Sequence, residues 1–282
     1  MGISLACPTA RRLILAAAIF KTLSEQSDLL AFKKDKNMYR VVKLTNGQHR
    51  SDERLLKEMQ NLVTPSYADS CDPLAKEVQF CDTCFLAYDD EVLVGFFMTR
   101  HYAIQRAGQT FLTVYLGLSA IAQHLKGTVA VRLLYGACLT DLAQVDTSSF
   151  DGSFLWGTTA NPTVFVAASR YLNGIQPNSD GTFGESNLYA LELLKEEFAG
   201  WGWQTKSSPQ HPYVLCGVAT ARYSFEERQR MSKFTRRFTL FDDLGIDESN
   251  GDRLIFVAQF PNAFHQAAFE GQATPETRSL VQ

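Results

Sequence analysis

Phe85-Leu86-Ala87-Tyr88 and Val92-Leu93-Val94-Gly95-Phe96-Phe97-Met98-Thr99-Arg100, parted by Asp89-Asp90-Glu91, decide the fold. Two apolar runs separated by three charged residues predict an antiparallel hairpin. A third strand, Thr110 to Leu118, is expected after a turn at Ala107-Gly108-Gln109. A glycine-containing loop then leads into a long apolar helix, Val129 to Leu142, and further strands are expected at Ser153 to Trp156, Tyr213 to Ala219 and Leu254 to Phe260.

Upstream, Met38 to Leu44 alternates apolar and polar side chains and ends at the turn signal Asn46-Gly47, as a first strand does. Ser51-Asp52-Glu53-Arg54 supplies a cap and early acids before Leu55, Leu56, Met59 and Leu62 at helical spacing, and Pro65 stops that helix. Helical spacing also runs from about Thr9 to Leu30. The expectation is therefore one domain over 1–282, with an N-terminal helical extension (about 1–37) and an insertion (about 173–210). That insertion carries Pro177, a glycine-rich turn and a helix near Asn187 to Phe198. No internal repeat is present, and a polar tail follows Gly271.

Composition narrows the function classes. A chain of 282 residues, 45% hydrophobic and 20% charged, can bury one substantial core. Its 27 Lys and Arg against 30 Asp and Glu give a net charge of −3, so no basic excess exists to neutralise phosphates, and no nucleic-acid partner is expected. No stretch reaches the roughly 20 apolar residues of a membrane span. Leu13 to Phe20 is bracketed by Arg11, Arg12 and Lys21, with no small-residue cleavage site after it, so it reads as an amphipathic helix rather than a leader. Ala6 replaces the Ser or Thr of a myristoylation motif, and only four residues precede Leu5-Ala6-Cys7, so lipid attachment is not expected.

The cysteines at 7, 71, 81, 84, 138 and 216 do not form the framework of a small secreted domain, and a reducing cytoplasm fits them better. Cys81-Asp82-Thr83-Cys84 is a CxxC that could serve redox chemistry or half a zinc site. It leads into a strand and lacks a second ligand pair, so no metal is expected.

The order strand, helix, hairpin, strand, glycine loop, helix, strand, helix resembles the acyl-CoA N-acyltransferase (GNAT) superfamily, most closely over Cys84 to Tyr171. The fold class this implies is α/β (α+β): a central mixed, mostly antiparallel twisted sheet flanked by helices. In that family a strand splays from its neighbour and leads into a loop of pattern Arg/Gln-x-x-Gly-x-Gly/Ala that opens a helix. Such a helix start presents unpaired N–H groups to a pyrophosphate. Here Gly127 stands at the first glycine, His124 replaces the Arg or Gln, Val129 replaces the second Gly or Ala, and Lys126 keeps a positive charge. The resemblance implies that Leu118, Ser119 and Ala120 pair with the pantetheine arm, and that His124, Leu125, Lys126, Gly127, Thr128 and Val129 cradle the pyrophosphate.

Downstream, Asn161 matches an Asn with which family members often end the next strand. The usual thiolate-protonating Tyr, seven residues on, is Ala168, and Tyr171 lies one helical turn further. An amine acceptor must lose a proton before it attacks. Thr110 to Leu118 contains no carboxylate, which leaves a water held by Thr113 and Tyr115, or His101, as candidate bases.

The implied activity is transfer of an acyl group, acetyl or longer, from an acyl-CoA or acyl carrier protein thioester to an amine of a small molecule or peptide, by direct attack in a ternary complex. Trp201 and Trp203 in the insertion could build the pocket, and the basic run Arg228 to Arg237 could meet an acidic carrier protein. The alternative is a non-catalytic acyl-CoA-binding or interaction protein that keeps the fold; a Cys/His hydrolase or redox protein is a third reading. The chain is expected to act in the cytoplasm as a monomer or homodimer.

Overall fold

The computed structural model describes residues 29–34, 37–68, 72–126, 129–178, 180–201, 213–235 and 238–261. Eight strands form one sheet in the order β1-β2-β3-β4-β5-β6-β8-β7. These are β1 (Leu29–Lys34), β2 (Asn37–Leu44), β3 (Thr83–Asp89), β4 (Val92–Arg106), β5 (Gln109–Ile121), β6 (Gly152–Thr159), β7 (Val214–Leu215) and β8 (Arg253–Gln259). Every neighbouring pair is antiparallel except β5 and β6. The helices are α1 (Glu53–Val63), α2 (Pro73–Phe80), α3 (Val129–Ala143), α4 (Pro162–Tyr171), α5 (Glu185–Gly200), α6 (Phe225–Thr235) and α7 (Leu240–Asp243).

The expected hairpin is present, closed by Asp90-Glu91 with Asp90 at φ 51°. β4 runs six residues beyond the expected end at Arg100, to Arg106, because Ala107-Gly108, with φ 50° and 80°, supplies the left-handed pair of a tight turn. β3, β4 and β5 are buried along most of their length because helices cover both faces. On one face Phe97 packs on Tyr135 of α3. On the other, Tyr115 meets Phe80 of α2, and Trp156 meets Phe198 of α5.

Four expectations need correction. Leu29 and Leu30, read as the end of an N-terminal helix, begin β1 and pair with Val42 and Val41 of β2; the rest of that helix lies outside the described residues. The expected strand Tyr213 to Ala219 is reduced to Val214–Leu215, since Gly217 at φ 63° turns the chain away. α2 was not read from the sequence, although Asp72 accepts from the Ala75 amide as its cap and Pro73 starts it. α6 was read only as a basic run, yet its first turn is acidic.

Candidate active site

β5 and β6 pair from Phe111/Gly152 to Leu116/Gly157 and then stop, although β5 continues to Ile121 and β6 to Thr159. Beyond that point β5 stays with β4 (Ser119 opposite Phe97), while β6 stays with β8 (Thr159 opposite Leu254). The β4–β5 register shifts between Phe97 and Thr99, so two β5 residues, Gly117 and Leu118, face one on β4. A bulge of this kind bends its strand and releases backbone groups from the ladder. The two parallel neighbours are thereby drawn apart. Gly117, Leu118 and Ser119 on one side, and Thr158 and Thr159 on the other, line a cavity of about 800 Å³. That volume is in the range of small-molecule sites.

α2 closes the cavity with Glu77 and Phe80. Glu77 is half-buried at the cavity wall, and its Oε2 accepts the released amide of Leu118 at 3.2 Å and the Cys81 thiol at 3.4 Å, while its Oε1 accepts the Tyr115 hydroxyl at 3.1 Å. Burial pushes its carboxyl above the ordinary range, against the three hydrogen bonds that favour the charged form. Gly117 is required here: a Cβ would sit 2.6 Å from Glu77 Oε2 and 2.8 Å from Cys81 Sγ. Tyr115 is buried against Trp156 at 4.6 Å between ring centroids, and burial together with the Glu77 charge pushes its phenol well up.

The sequence-derived candidates fall in three places. Leu118 and Ser119 line the cavity; Ala120 pairs with Phe96. His124 and Leu125 form a single 3-10 turn after β5, and Lys126 follows with its Nζ 3.0 Å from Glu227 Oε2 and 3.1 Å from Ser66 Oγ. Gly127 and Thr128 lie outside the described residues, and Val129 opens α3. Asn161 caps α4, accepting the Thr163 amide at 2.9 Å, and its Nδ2 lies 3.4 Å from Glu227 Oε1. Glu227 on α6 thus joins the turn after β5 to the start of α4, and Arg230 also reaches it at 2.8 Å.

The three catalytic candidates do not line the cavity. His101 lies within β4 rather than at its end. It shares the α3 face with Thr99, while Arg100 and Tyr102 on either side turn to the cavity face, where Arg100 lies over Phe80. Burial and the nearby Lys43 charge bring its imidazole down to about 4, so it is neutral. Thr113 is buried opposite Tyr102, with its hydroxyl beside the Tyr102 phenol. Tyr171 stacks on Tyr135 of α3 at 5.1 Å. Trp201, from the expected insertion, does line the cavity, whereas Trp203 lies outside the described residues. The Cys81 and Cys84 thiols are buried, and burial pushes both up, away from the reactive thiolate. Among the described residues no group of three His, Cys, Asp or Glu side chains is placed to hold a metal, and no helix is long and apolar enough to cross a membrane.

No family model and no curated protein matches the sequence. Solved structures do match. A probable N-acyltransferase of Enterococcus faecalis is 17% identical over 49% of this chain, with a TM-score of 0.36; the match spans about a third of that protein (32%). A ribosomal-protein-S5-alanine acetyltransferase of Vibrio fischeri matches 82% of this chain and 97% of its own at 8% identity and TM-score 0.34. A Bacillus subtilis acetyltransferase in complex with CoA matches 83% and 99% at 12% identity and TM-score 0.29. The named matches are acyltransferases. Identities and TM-scores this low carry no conclusion about the chemistry of this chain.

Proposed function

We propose that this chain is a divergent N-acyltransferase of the GNAT type, taking an acyl thioester into the gap between β5 and β6 and passing the acyl group to an amine. The parting of those strands after Leu116 and Gly157, over a cavity of about 800 Å³ capped by the Glu77 carboxylate, carries this reading. A narrow thioester arm fits between parted strands and finds backbone groups there that the ladder no longer uses. Of the two donors the sequence suggested, acyl-CoA is preferred here, since a cavity of about 800 Å³ has the size of a small-molecule site.

In this reading Glu77, rather than His101, is the base. Its carboxylate receives the proton of the attacking amine, whose nitrogen bonds to the thioester carbonyl carbon. The C–S bond then breaks. Tyr115 hands its phenolic proton to the departing sulfur and regains one from Glu77, so the amine proton ends on the thiol. The Leu118 amide, held by Glu77 before substrate enters, is the donor best placed for the carbonyl oxygen. No cysteine nucleophile is needed.

Thiol release from acetyl-, octanoyl- and palmitoyl-CoA, measured with a panel of primary amines, tests the reading. Amine-dependent release with at least one thioester is expected. Binding of CoA without release by any pair would instead favour the non-catalytic alternative, and neither binding nor release would end the proposal.

A further inference from the structure

Arg253 opens β8 and borders the cavity two strands from Leu118, yet only 8% of its surface is exposed. Two of its N–H groups are spent on backbone carbonyls: Nη1 donates to Asp252 at 2.7 Å and Nη2 to Ala221 at 3.1 Å. A guanidinium has five, so three remain. It makes no ion pair with a described carboxylate; the side chain of neighbouring Asp252 accepts the amides of Gly217 and Asp247 instead. A buried charge without a counter-ion is costly, and proteins ordinarily pair it.

Beside it stand Tyr67 and Tyr223, stacked at 5.0 Å, with the guanidinium 6.0 Å from the Tyr223 ring centre. Both tyrosines line the same cavity as Glu77. The Tyr67 phenol is pushed well up by burial, and lies near enough to both charges that Arg253 pulls it down while Glu77 pushes it further up. The cavity therefore has an acidic end over the parted strands and a cationic end walled by phenols.

We infer that Arg253 binds the carboxylate of the acceptor, so that the amine this protein acylates belongs to an amino-carboxylic acid. A single guanidinium balances a single negative charge, and its planar fork matches the two oxygens of a carboxylate. With the carboxylate held at Arg253, the amine is left towards Glu77. The acceptor half of this inference rests on the acyl-transfer reading; the anion site itself does not.

Two pairs of probes, each differing only by a carboxylate, test it: phenylalanine against phenethylamine, and 6-aminohexanoate against pentylamine. Binding is followed by thermal shift and by the fluorescence of Trp201, which lines the cavity. For at least one pair the acid should bind tenfold or more tightly than its twin. Arg253→Gln should erase the preference, and Arg253→Lys, which retains the charge, should keep part of it and guards against a simple folding defect. A preference in wild type without thiol release from any thioester would leave the anion site standing and remove the acyl-transfer reading. Twins that bind alike, or a preference that survives Arg253→Gln, overturn the site. So does a carboxylate preference found only between succinyl-CoA and propionyl-CoA, which would assign the anion to the donor.

Discussion

Glu77 Oε2 accepts the amide of Leu118 at 3.2 Å, joining a short helix to the one point on β5 where the ladder has released a donor. The contact links residues 41 positions apart, and it carries the proposed chemistry as well as the geometry of the cavity. Replacing the carboxylate while retaining the shape should separate the two. Glu77→Gln is expected to lower kcat about 100-fold or more, in line with the loss of a general base. In wild type the acid limb of kcat/KM should lie above the ordinary carboxylate value of 4.5, since burial raises this group, and the limb should vanish in the variant.

Stability should move the opposite way. A carboxyl raised in the folded state contributes stability below its unfolded pKa and loses it as pH rises through the folded value. Glu77→Gln should therefore be more stable than wild type near pH 8, by equilibrium denaturation. A variant less stable there would show that the hydrogen bonds of Glu77 outweigh its desolvation.

Gly117→Ala tests the bulge. Its Cβ would press on Glu77 Oε2 and Cys81 Sγ, at 2.6 and 2.8 Å, and force the carboxylate off the Leu118 amide. A displacement of about 1 Å is enough for a loss on the order of 100-fold in kcat. The melting temperature should also fall, because Glu77 has room to move into the cavity but the buried Cys81 does not. Unchanged kcat would remove Glu77 from the mechanism.

His101 should act in acid stability and not in turnover. Its folded pKa of about 4 lies below the ordinary 6.5, so neutral His101 contributes stability above pH 6.5 that is lost as pH falls towards 4. The span is on the order of 3 kcal/mol. His101→Asn should flatten the decline in unfolding free energy between those values and leave kcat at neutral pH unchanged; a pH-independent kcat loss would return His101 to the list of bases.

Thr113→Val should change stability by no more than about 1 kcal/mol, the net worth of a buried contact between its hydroxyl and the Tyr102 phenol. Turnover should be unaffected. A fall in kcat at such a small change in stability would identify a catalytic water at Thr113.

The hairpin, the strands from Met38 and Thr110 and the long apolar helix were legible from local pattern, whereas β1 and the extent of β7 were not. Alternation in Met38 to Leu44, charge at Asp89 to Glu91 and glycine at 108 act on near neighbours, and short-range physics resolves them. Of the residues expected to meet a donor, Leu118 and Ser119 line the cavity, as follows from where β5 ends. Asp72-Pro73 with Leu74 and Val78 could have marked α2, but nothing local assigns a role to Glu77. Chemical type alone suggested His101 and Tyr171; strand period 2 turns His101 to α3 and Tyr171 stacks on Tyr135 of α3, so neither lines the cavity.

The amino-acid sequence alone determined the central hairpin, the strand after it and the long apolar helix, because hydrophobic period, caps and turn residues act within a few positions; β1 and the extent of β7 needed the pairing of distant segments. Tertiary structure alone decided where β5 and β6 part, and that Glu77, Tyr115 and Arg253 face one cavity. Those relationships depend on a bulge and on packing between distant segments, and the energy of burying a charge is set by what the whole fold brings around it.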